Sequence, residues 1–107
     1  MKKEFHHIGI PSTLERSGET YMEGARLYVT DPMHSDQKIE WLRFEDGSPM
    51  PDLIQNEAHV AFLVDNVEEA MEGKPCLLDP FDSAPGVRVG FVIEDGQPVE
   101  FLSIATV

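Results

Sequence analysis

His7-Ile8-Gly9-Ile10 and His59-Val60-Ala61-Phe62 are two versions of one phrase: a histidine, a large apolar residue, a residue with almost no side chain, and a second large apolar residue. Each is followed downstream by another shared phrase, Ile39-Glu40-Trp41-Leu42 in the first half and Val99-Glu100-Phe101-Leu102 in the second. Side chains two apart on a strand share a face. His7 therefore sides with Gly9 and His59 with Ala61, while the bulky neighbours take the opposite face and pack under helices. By the same parity Glu40 and Glu100 point away from Ile39, Trp41, Val99 and Phe101. One histidine and one glutamate per half, on strands, is the pattern of a duplicated fold with a His/Glu/His/Glu metal site, because neutral imidazoles and carboxylates are ligands that divalent metals prefer.

Working outward, residues 4–10 alternate as a strand, and Pro11-Ser12-Thr13 offers turn and N-cap chemistry for a helix over Leu14 to Glu23 with Leu14, Tyr21 and Met22 as its apolar stripe. Gly18 weakens that helix by about 1 kcal/mol relative to Ala. Strands are expected over residues 25–30 and 38–44, separated by Asp31-Pro32 and a polar loop. Glu45-Asp46-Gly47-Ser48-Pro49 is a dense group of turn formers. The first module is read as 1–48, a connection as 49–56, and the second module as 57–107. In the latter, residues 57–64 form a strand and Asp65 or Asn66 caps a helix over Val67 to Glu72, with Glu68 and Glu69 in its first turn. Cys76 to Leu78 starts a further strand and a loop holds Pro80 to Gly86. Asp95-Gly96 joins the strands 87–93 and 98–104 as a hairpin.

Composition narrows the function. At 107 residues with 41% apolar content the chain suits one globular domain with a modest core. Eight Lys+Arg against 20 Asp+Glu give a net charge of −12, which repels phosphate backbones and anionic lipid. The basic residues are scattered, so no nucleic-acid partner is expected. No apolar run approaches the roughly 18 residues of a membrane span. A single cysteine and the absence of an apolar leader-like stretch make the cytoplasm the expected compartment.

These phrases, together with Asp65-Asn66-Val67-Glu68-Glu69-Ala70 and Glu94-Asp95-Gly96-Gln97-Pro98-Val99-Glu100-Phe101-Leu102, resemble the vicinal oxygen chelate superfamily over nearly the whole chain. That superfamily includes glyoxalase I, bleomycin-resistance proteins, fosfomycin-resistance enzymes, extradiol dioxygenases and methylmalonyl-CoA epimerase. The resemblance implies an α+β fold of two βαβββ modules forming a cupped mixed sheet with helices on its outer face. It also implies His7, Glu40, His59 and Glu100 as ligands of a divalent ion, whether zinc, nickel, manganese or iron(II), and a homodimer acting on a small-molecule substrate. The spacing departs from symmetry: 32 residues (8–39) separate His7 from Glu40 and 40 residues (60–99) separate His59 from Glu100. The first module is therefore expected to be short of a strand or a long loop around Met33 to Gln37, and a register slip there would turn Glu40 outward.

Several chemistries fit this ligand set. A divalent ion with open positions polarises vicinal oxygens, and Glu40 or Glu100, loosened from it, serves as general base next to a carbonyl, as in the isomerase and lyase members. Without Glu40, the trio His7, His59 and Glu100 is a two-histidine, one-carboxylate set suited to iron(II) and dioxygen. A metal-free drug-binding protein of the bleomycin-resistance kind is the non-catalytic alternative, although it has no need of the two histidines. Elsewhere, His6 has the opposite parity to His7 and is read as structural, His34 as a solvent-facing loop residue and Cys76 as a small buried apolar group. Arg43 and Arg88 offer recognition of an anionic substrate, but on so acidic a chain they are assigned to surface ion pairs.

Overall fold

Alternating apolar and polar residues give strands throughout, and the described residues form eight of them. They are β1 (Lys3–Pro11), β2 (Thr20–Met22), β3 (Leu27–Val29), β4 (Ile39–Phe44), β5 (His59–Val64), β6 (Cys76–Ala84), β7 (Val87–Glu94) and β8 (Gln97–Ile104). Two short helices, α1 (Asp52–Asn56) and α2 (Val67–Met71), complete the α+β fold. This computed structural model describes residues 2–105. The strands make one mixed sheet in the order β2-β3-β4-β1-β5-β8-β7-β6. Among the described residues no helix is long and apolar enough to cross a membrane. Two contact units divide the chain, one of His7–His59 and one combining the residues before His7 with those from Val60 onward.

In the His7–His59 unit, β1 runs parallel to β4, β4 antiparallel to β3, and β3 antiparallel to β2. Residues 12–19 are where sequence reasoning fails. The expected helix over Leu14 to Glu23 is absent: Ser12 Oγ instead accepts from Leu14 N–H and from Arg16, and Gly18 takes a left-handed φ of 79°. Thr20–Met22 is drawn into a ladder with β3, so Tyr21 meets Tyr28 with ring centroids 4.7 Å apart. Leu14 is left exposed. The face that a helix would cover is occupied by Arg16 stacked on Trp41 at 3.9 Å and by Arg43 over Tyr28 at 4.1 Å, with Arg43 also gripping Glu19 through two nitrogens. The connection between the halves holds α1, started at Pro51 and anchored by Ile54, which is 1% exposed.

In the other unit, β5 runs parallel to β8, and β8, β7 and β6 follow as an antiparallel set. The Asp95-Gly96 hairpin expected from sequence forms with φ of 50° and 80°, the paired left-handed residues of a type I′ turn. Asn66 caps α2 by accepting from Glu69 N–H at 2.9 Å. Val67, Ala70 and Met71 of α2 bury against Val92, Val99 and Phe101. The expected loop after Leu78 is instead a strand to Ala84, with register shifts that absorb Pro80. Because β6 is the sheet's last strand, Cys76 is exposed, which corrects its assignment to the interior.

The two halves share one ladder register. In β1/β4 the pairs are Ile8↔Ile39, Gly9↔Glu40 and Ile10↔Trp41, and in β5/β8 they are Val60↔Val99, Ala61↔Glu100 and Phe62↔Phe101. The first module thus lacks neither a strand nor its register. Its missing residues are those of a helix between β1 and β2, together with the length of β2 and β3, each three residues long where β6 and β7 have nine and eight. Around residues 33–37, where the loss was expected, the chain makes a single 3-10 turn started by Pro32, whose preceding Asp31 accepts from Met33 N–H.

Candidate metal centre

Parity on β1 buries His7 and Gly9 while His6 and Ile8 remain half-exposed. His7 is 3% exposed, His59 3% and Glu100 6%. The Glu40 side chain keeps 21% of its exposure and places Oε1 3.5 Å from His7 Nε2. The His7 and His59 rings meet edge to face, with centroids 5.9 Å apart and planes at 77°. Gly9 makes this approach possible. A methyl group built on it would lie 2.5 Å from His59 Nε2 and closer still to Cε1, so the imidazole occupies the space that a side chain at position 9 would fill.

Glu100 sits in the middle of β8, opposite Ala61 of β5 and Phe91 of β7. One ligand atom from each of His7, Glu40, His59 and Glu100 lies within 4.8 Å of every other. Ligands bonded to a common ion at about 2.0–2.2 Å stand roughly 3.0–4.4 Å apart, so a small inward adjustment brings this set to coordination distance, and the 3.5 Å His7–Glu40 separation already falls in that range. The donor chemistry agrees. Two carboxylates carry the charge that a divalent cation offsets, and charged groups taken out of water are stable only when paired or coordinating. The residues present therefore fit a divalent ion of the nitrogen- and oxygen-liking kind.

The remaining candidates stand elsewhere. His34 is 86% exposed in its side chain and lies 3.7 Å from Asp31. Arg43 and Arg88 are engaged in ion pairs, as expected: Arg43 with Glu19 at 2.6 Å, and Arg88 with Glu68 and Asp82. Hydrogen bonding from Arg43 holds the Glu19 carboxyl below the usual range, and Arg88 does the same to Glu68. The Cys76 thiol lies 3.2 Å from Asp79 Oδ1, and that carboxylate raises its pKa, which makes it a poor nucleophile. Sequence reasoning missed Phe91 as the cross-strand neighbour of Glu100. The alternation of residues 87–93 carried that signal, but only the hairpin register could assign it to Glu100.

No protein-family model matches the sequence, and no curated protein matches it. Among solved structures, the chain is similar to the crystal structure of a hypothetical protein from Bacillus halodurans C-125, with a TM-score of 0.73 and 21% identity over 100% of this chain and 98% of that one. That likeness concerns the fold alone.

Proposed function

We propose that this chain is a metal-dependent lyase or isomerase of the glyoxalase type, within the vicinal oxygen chelate superfamily, acting on a small metabolite with vicinal oxygens. The observation that carries the reading is the convergence of His7, Glu40, His59 and Glu100 ligand atoms within 4.8 Å, on three buried residues and one half-buried one. A bound divalent ion supplies Lewis acidity toward paired substrate oxygens. His7 and His59 hold it through imidazoles fixed by burial, and Glu100, enclosed in the central part of β8, is the fixed carboxylate. Glu40 has the more exposed carboxylate and so the greater freedom to move. It is the base that takes a proton from carbon next to a carbonyl.

Elemental analysis of the purified protein tests this. About one divalent ion per chain is expected, and His59→Ala is expected to lose it while keeping its far-ultraviolet circular dichroism. Full occupancy in His59→Ala would remove the site. A wild-type protein whose melting temperature does not respond to zinc, nickel, manganese or iron(II) would instead be a metal-free binding protein, because a ion binding only the folded state must stabilise it.

A further inference from the structure

The sheet faces that carry the candidate ligands are lined with hydrocarbon. In the His7–His59 unit, Glu40 shares its face of β4 with Leu42 and Phe44, and the antiparallel register sets Val29 of β3 opposite Leu42. In the other unit, Glu100 shares its face with Leu102, and the β7 ladder adds Phe91 and Val89. The chain's eight Lys and Arg all lie among the described residues, and their positions form the opposite pattern. Arg16 and Arg43 stack on Trp41 and Tyr28, the first of which alternates with Glu40 and so faces the other way. Arg88 is held by Glu68 of α2, and the Lys3 ammonium lies 5.0 Å from the centre of the Phe62 ring, which packs against the α2 cluster. Lys2, Arg26, Lys38 and Lys74 are exposed and lie outside the strands.

We infer that the site takes an uncharged, hydrocarbon-bearing substrate that presents two adjacent oxygens, and that it rejects substrates carrying a phosphate or a remote carboxylate. This rests on the metal-site reading above. Glu40 and Glu100 already offset the two positive charges of a divalent ion. An additional anion would be desolvated against leucine, valine and phenylalanine with no cation on those faces to receive it. The net charge of −12 opposes its approach as well.

The test uses zinc-loaded full-length protein titrated with 4-methylcatechol and with 3,4-dihydroxybenzoate, which offer the same diol and differ by a methyl group against a carboxylate. Zinc content is measured before and after. The methyl compound should bind at least about tenfold more tightly. Val29→Lys, a change at a half-buried position of short β3, should shrink or reverse that ratio with zinc retained. Equal or tighter binding of the carboxylate compound by protein that still holds its zinc overturns the inference and leaves the metal site standing. So does an unchanged ratio in zinc-bearing Val29→Lys. Failure of the protein to take up zinc or any other divalent ion removes the metal reading itself, and the substrate inference with it.

Discussion

Between Gly9 and the His59 imidazole there is no room for even a methyl group, and an imidazole that is 3% exposed has little space into which to retreat. Gly9→Ala should therefore leave β1 in place and push the ring away, lowering affinity for a divalent ion by about 10- to 100-fold, as loss of a supporting contact around a metal commonly does. Titration of the metal-free protein with zinc measures it, and unfolding in chelator separates the effect from general instability. Ala61 holds the matching register position and carries its methyl at 0% exposure, so Ala61→Gly serves as the control, with stability reduced by about 1 kcal/mol and zinc affinity retained. The small residue two places after each histidine was legible as a demand for space. Which ring fills that space was not, because the contact joins residues fifty positions apart in sequence.

At the scale of elements, α2 is only five residues long and depends on its cap. Asn66→Ala should cost about 1 kcal/mol in urea unfolding, since Glu69 N–H would lose its acceptor. Helix α2 was readable because its cap, its acidic first turn and its buried Val67, Ala70 and Met71 all agree. Over Leu14 to Glu23 the apolar stripe had no such support. Gly18 adopts a conformation that a helix excludes, and Thr20–Met22 gains a ladder by pairing with β3. Strand pairing there overrides a weak local preference. Likewise the 32-against-40 spacing suggested a slip at Glu40, whereas parallel pairing with β1 holds it in the same register as Glu100. Spacing counts residues and cannot distinguish a lost helix from a shifted strand.

Across the whole molecule, stability should decline in acid through identifiable pairs. Arg43 depresses the folded-state pKa of Glu19, so the native protein binds fewer protons there than the unfolded chain. That stabilisation is present above the ordinary value of 4.5 and fades as pH falls through the lower folded value. The melting-temperature gap between wild type and Glu19→Gln should be widest near neutrality and close in acid. Taking the gap cancels the general relief of self-repulsion that protonation brings to so acidic a chain. The Arg43–Glu19 pair also has a broader meaning, because with Arg16 on Trp41 it stands in the half that has no counterpart of α2 between its first two strands. Ladder and buttress are separable. One half of such a fold can stand without an outer helix, with a few stacked cations in its place, and still set its glutamate opposite the same small residue as the other half does.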